Sequence, residues 1–183
     1  MSRLGVSPIV LVGESNPYST RRYDALLPWP RGASGDRLRV ILELDDVLYL
    51  ALFPNRYNLV RRVRRRGWSM EEARAKAALI QKWHPDRPII CLGRRVASVF
   101  QVEEDCAIVE RGGNQVVAFP HPSGRCRRWH DPAVVEAVRA CFRELRAWQS
   151  NQPTGEVKPW QESEAVKHRP RPARAATAAT GRR

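Results

Sequence analysis

Three short, continuous apolar runs constrain this chain most: Ile9-Val10-Leu11-Val12, Ile89-Ile90-Cys91-Leu92 and Val116-Val117-Ala118-Phe119. None of them alternates polar with apolar residues. Each therefore fits a strand buried on both faces better than a strand with one wet side. Gly13 closes the first run, Gly93 the second, and the third leads into His121. The segments between them have helical spacing. Strands separated by helices predict an α/β fold, a three-layer sandwich with a small, mainly parallel four-stranded sheet flanked by helices. In such sheets ligands bind beyond the carboxyl ends of the strands. The residues after Gly13 and the residues from His121 onward then share one edge.

The intervening chain supplies the helices. One is predicted from about Gly35, with Leu38, Ile41, Leu42 and Leu44 as its buried stripe. Asp45-Asp46 is expected to break it before a shorter turn that ends at Leu52. A short strand is expected near Tyr57 to Val60. Ser69 and Glu72 have the Ser-x-x-Glu capping-box spacing and open a helix that runs to about Trp83. Its buried face is predicted as Met70, Ala73, Ala77 and Ile80, and Pro85 stops it. Arg94 to Phe100 should be helical. Ala107 to Glu110, a Gly112-Gly113-Asn114 turn and Gln115 to Phe119 read as strand, turn and strand. Asp131 caps the last helix with Pro132 at its first position. That helix buries Val134, Val135, Val138, Cys141, Phe142, Leu145 and Trp148. Beyond Gln149, Pro, Ala, Thr, Arg and Lys occur without periodicity. The expected organisation is a folded domain over residues 1–149 and a disordered basic tail over 150–183.

Charge points to a class of partner. The 183 residues carry 32 Lys and Arg against 19 Asp and Glu, a net charge of +13. Most of that excess lies before residue 150. Such a surface concentrates polyanions, and nucleic acid is the default partner ahead of an acidic membrane. The six-residue run Arg61 to Arg66 fits a solvated loop as well as it fits phosphate contact. None of the four cysteines forms a Cys-x-x-Cys pair, so neither a disulfide framework nor a zinc ribbon is implied. Cys126, His130 and His121 share one loop but lack a partner pair, and no metal or cofactor is expected. The first apolar run is too short for a signal peptide or a membrane span. A cytoplasmic monomer without membrane attachment is expected.

Two stretches carry candidate chemistry. His121-Pro122-Ser123-Gly124-Arg125-Cys126-Arg127-Arg128-Trp129-His130 brings a histidine, a tight turn, three arginines and a tryptophan to the end of a buried strand. Gly13-Glu14-Ser15-Asn16-Pro17-Tyr18 follows another. Read together, they resemble the uracil-DNA glycosylase superfamily, with its Gly-x-Asp/Asn-Pro loop after the first strand and its His-Pro-Ser after the last. Pro28-Trp29-Pro30-Arg31-Gly32 is similar to the family's aromatic-bearing loop. Tyr57-Asn58-Leu59-Val60 is similar to the strand with the base-reading asparagine, and Ile90-Cys91-Leu92-Gly93 to its strand-Gly-helix segment. The likeness runs from about residue 8 to 148, in order.

The resemblance implies excision of uracil or another damaged or deaminated base from DNA by hydrolysis of the N-glycosidic bond. It implies His121 as hydrogen-bond donor to the departing base and Asn16 as holder of the attacking water. Trp29, Asn58 and Tyr18 would contact the base, by stacking, by edge hydrogen bonds and beside pyrimidine C5. Ser123, Arg125, Arg127 and Arg128 would hold DNA. The chain departs from the family in a first motif one residue longer and in Asn16 where the most active members have a carboxylate. An amide positions water but cannot take its proton. Glu14 serves as a base only if the longer loop turns it inward. The alternative reading is a non-catalytic nucleic-acid or nucleotide-binding protein on the same fold.

Overall fold

The computed structural model describes residues 7–15, 25–60 and 68–150. Five strands form one sheet: β1 (Val10–Gly13), β2 (Asn55–Asn58), β3 (Ile89–Leu92), β4 (Val109–Arg111) and β5 (Asn114–Phe119). Their order across the sheet is β2-β1-β3-β5-β4. β1 pairs in parallel with both β2 and β3, and β3 pairs in parallel with β5. The fifth strand corrects the four-stranded expectation. β4 adds an antiparallel edge to β5 through the Gly112-Gly113 turn. Both glycines have positive φ, 57° and 81°, a conformation that disfavours residues with a Cβ.

Helices cover both faces, and the strands show why. Successive strand residues point to opposite sides. Ile9, Leu11, Ile90, Leu92, Val117 and Phe119 enter one core, against Leu38 of α1 (Ser34–Ile41), Tyr49 and Leu52 of α2 (Asp46–Leu52), and Val138, Phe142 and Leu145 of α5 (Pro132–Ser150). Val10, Val12, Ile89, Cys91, Val116 and Ala118 enter the other, against Ala73, Ala77 and Ile80 of α3 (Met70–Trp83) and Val96, Ala97 and Val99 of α4 (Arg94–Val99). A strand packed on both sides needs apolar residues throughout, which is the composition of the three runs.

Local chemistry sets the helix ends. Ser69 accepts from the Glu72 amide and opens α3, and Asp131 accepts from the Ala133 amide before α5. Asp45 ends no helix. Its carboxylate accepts from the Leu48 amide at 2.7 Å, so the Asp45-Asp46 pair starts α2 rather than breaking α1. Met70, expected on the buried face of α3, is the helix's first residue and is 36% exposed; the packed stripe starts at Ala73. β2 begins two residues before Tyr57. Leu59 and Val60 continue the pairing past its end, donating to the Gly13 and Glu14 carbonyls. The Arg61–Arg66 run and the tail beyond Ser150 lie outside the described residues.

Candidate functional site

The strand order reverses direction beside β1: the chain passes from β1 to β2 on one side, then to β3 and onward on the other. The crevice at such a switch point, past the carboxyl ends of the strands, is where open α/β sheets hold ligands. Gly13 pairs with Asn58, and Leu92 with Phe119, so β1, β2, β3 and β5 end at the same level. Glu14, Asn58, Gly93 and His121 all emerge there.

Two glycines let side chains close over the strand ends. A Cβ on Gly13 would stand 2.8 Å from Asn58 Oδ1 and 3.3 Å from Leu26 Cδ1, so the Asn58 amide lies directly over the end of β1. A Cβ on Gly93 would stand 3.1 Å from His121 Cβ and 3.5 Å from the ring's Cδ2. Gly93 also has φ of 92°, a backbone state that disfavours other residues. Its amide donates to the Phe119 carbonyl at 2.8 Å. The imidazole thus rests on the turn after β3, while the Trp129 indole N–H holds the His121 carbonyl at 2.9 Å.

Burial pushes the His121 ring below its ordinary value of 6.5, and the negative charge of Glu14 opposes that shift. Burial thus favours the neutral imidazole. Glu14 accepts from the Arg95 guanidinium at 2.8 Å. This pair joins the residue after β1 to the first turn of α4, across the switch point. The Glu14 side chain is half-buried, with 27% of its surface exposed.

The loop before α1 forms the other wall. Trp29 is 49% exposed on it. The loop is tied down by the Tyr49 hydroxyl, which donates to the Leu26 carbonyl at 2.8 Å, and by Arg56, which donates to the Ala25 carbonyl. Gly35 admits its backbone: a Cβ there would fall 2.1 Å from the Leu27 carbonyl oxygen. Asp36 accepts from the Gly32 amide at 2.7 Å and from Arg31 and Arg39 at 2.9 Å each. These hydrogen bonds, the Gly32 amide first, hold its carboxyl down at about 2 against the opposing effect of burial. Arg37 connects the two walls. Its Nε donates to the Gly32 carbonyl at 3.1 Å, and its guanidinium lies where a Cβ on Gly124 would be 2.9 Å away.

Of the residues singled out from sequence, Asn58 lies over the end of β1 and His121 over the turn after the adjacent β3, and Trp29 lies on the loop that Arg37 joins to the His121 turn. Asn16 and Tyr18 lie outside the described residues. Ser123 is half-buried, and Arg125 and Arg127 are exposed. Arg128 is engaged by Asp105. Arg95 and Arg37 were not singled out. Arg95 stands two residues past the strand-ending Gly93, a placement visible in the sequence, but its partner is 81 residues away. Among the described residues no three His, Cys, Asp or Glu side chains are grouped to hold a metal ion, and no helix is long and apolar enough to cross a membrane. A groove between the α1–α2 connection, α2 and α5, lined in part by Leu42, Leu48, Arg139 and Phe142, shares no residue with the strand-end site.

Comparison with family models and with characterised proteins returns no match to this chain.

Proposed function

We propose that the protein hydrolyses the N-glycosidic bond of uracil or another damaged or deaminated base in DNA, at the carboxyl ends of β1, β2, β3 and β5. What chiefly supports this is that His121, packed over Gly93 at the end of β3, and the Asn58 amide, over Gly13 at the end of the adjacent β1, lie along one switch-point edge. The resemblance of the two flanking motifs to the uracil-DNA glycosylase superfamily supports it as well. The finer description as a three-layer uracil-DNA glycosylase-like domain, acting as a cytoplasmic monomer, belongs to the same proposal.

Breaking the base–sugar bond requires stabilising negative charge on the leaving base and positive charge on the sugar. The base must first leave the stack, at a cost of a few kcal/mol. His121 donates a hydrogen bond to the pyrimidine oxygen, and that bond strengthens as charge develops. A neutral ring suffices, because the donor needs only one N–H. The Asn58 amide offers a donor and an acceptor to the base edge. Trp29 stacks on the base, a contribution of about 1–3 kcal/mol. Asn16 holds the attacking water and Tyr18 lies beside C5. Ser123, Arg125, Arg127 and Arg128 hold phosphates. Glu14, facing His121, adds negative charge that favours the cationic sugar.

One observation favours the non-catalytic nucleic-acid-binding alternative. Glu14 Oε1 is already engaged by Arg95, which limits its capacity to accept a proton from water. The test is incubation of the purified protein with oligonucleotides containing uracil, hypoxanthine or hydroxymethyluracil, followed by alkali. Strand breaks at the modified base, reduced in Asn16→Ala, are expected. Binding to all three without any break would favour the alternative.

A further inference from the structure

We propose that Arg37, seated face-on over Gly124, holds one backbone phosphate of the bound nucleic acid at the strand-end site. The inference rests on the proposed function in taking nucleic acid as the ligand, and it does not depend on excision. Arg37 differs from the two arginines near it. Arg31 and Arg39 are both neutralised, by Asp36 and Asp46. Arg37 is exposed and has no carboxylate partner among the described residues. Its hydrogen bond runs from Nε to the Gly32 carbonyl at 3.1 Å. That bond fixes the root of the guanidinium and leaves both terminal nitrogens without an acceptor among the described residues.

Gly124 shows how the group is held. A Cβ there would stand 2.9 Å from Arg37 Nη2, 3.1 Å from Cζ and 3.4 Å from Nη1. With Cζ as near as the two nitrogens, the plane of the guanidinium rather than its edge rests on the glycine. The in-plane N–H groups therefore point past it. The backbone does not call for glycine at this position, since Gly124 lacks the positive φ of Gly93 and Gly113. What a side chain would meet is the guanidinium.

The turn beneath adds further donors. The Cys126 amide donates to the Ser123 carbonyl at 3.1 Å and closes the turn. The Gly124 and Arg125 amides inside it have no acceptor among the described residues. A planar cation with free in-plane donors, beside unpaired amides, matches the oxygens of a phosphate. Arg37 belongs to α1, and Gly124 lies three residues past His121. A phosphate held there would fasten both walls of the site to one strand.

The experiment titrates the full chain into duplex DNA with and without uracil, by fluorescence anisotropy at several salt concentrations. Melting temperature and released free base are measured on the same preparations. Arg37→Ala should lower the slope of log affinity against log salt by about 0.9. Its loss of affinity between about 50 and 200 mM salt should then be roughly threefold smaller than that of the wild type. Gly124→Val should lower the slope as well, although it removes no charge, because its side chain displaces the flexible end of Arg37. Adding Arg37→Ala to Gly124→Val should lower the slope no further. Lys82→Ala removes an exposed charge where α3 returns toward the start of β3, and it should leave the slope unaltered. Gly124→Val alone carries the test if Arg37→Ala does not fold. A wild-type slope in a normally melting Arg37→Ala or Gly124→Val, an equal drop in Lys82→Ala, or no binding by the wild-type chain would each overturn the inference. Base release with an unaltered Arg37→Ala slope would overturn it and leave excision standing; a lowered slope without any released base would do the reverse.

Discussion

The turn after β5 and the loop before α1 form two walls of one edge, and they are held by different forces. His121 is fixed by packing and backbone hydrogen bonds: a glycine beneath the ring, an indole N–H on its carbonyl, a buried proline after it. The Trp29 loop is fixed by charge, with Asp36 at the centre of Gly32, Arg31 and Arg39. A ring that donates while neutral, as proposed, gains from burial, which disfavours its protonated form. The loop before α1 packs Ala25 and Leu26 toward the core, but the part that carries the half-exposed Trp29 is tied down by ion pairs and hydrogen bonds. The first wall should therefore answer to changes of shape, and the second to changes of acid.

The largest effect should come from Gly93→Ala. The substitution places a Cβ 3.1 Å from His121 Cβ in a backbone with φ of 92°. Displacing the ring by even ~1 Å should cost about 100-fold in base excision. Equal rates in the variant and the wild type would remove Gly93 as the support of the histidine. Asp36→Asn comes next. It keeps the shape but loses the charge-assisted bonds, and urea unfolding should report a loss of about 2 kcal/mol. The carboxyl is held near 2 in the folded state against 3.8 ordinarily. Its stabilisation is thus complete above about pH 4 and is lost as pH falls toward 2. The variant should lack that acid limb; the same limb in both proteins would break the contrast between the walls.

Smaller effects should follow at the rim. Arg125→Ala and Arg127→Ala should each weaken binding to duplex DNA and reduce the salt slope by about one, measured by fluorescence anisotropy at several salt concentrations. An unaltered slope would take that arginine out of the interface. The smallest change expected is in the pH profile of Glu14→Gln. Glu14 raises the proton affinity of His121, although burial dominates and the net shift is downward. In the proposed mechanism the active ring is the deprotonated one, so the acid limb of excision should lie below pH 6.5 in the wild type. Removing the Glu14 charge should move the limb to still lower pH. A move upward would mean that Glu14 does not act on the ring through its charge.

The interior strands were readable because a strand packed on both faces has no polar positions to disguise it. β2 was harder. Asn55, Arg56 and Asn58 surround a single buried residue, Tyr57, and the apolar Leu59-Val60 beyond its end drew the predicted strand two residues late. Asp45 was misread because a carboxylate before a helix and one that ends a helix look alike until the acceptor of the Leu48 amide is known. At the site, the strand-ending glycines and the place of His121 after β5 were legible from the apolar runs, whereas Asn58 was named from the resemblance and the expected strand put it inside rather than at the end. The Glu14–Arg95 and Asp105–Arg128 pairs were not. They join separate segments, and only the strand order brings them together.

The most direct measurement is chromatographic detection of free base released from uracil-containing DNA by the wild-type chain and by His121→Ala, with melting temperatures recorded for both. The wild-type chain should release one base for each abasic site formed. The variant should release it at least about 100-fold more slowly while melting at nearly the same temperature. Release at equal rates by two equally stable proteins would contradict a base-excising site built around this histidine.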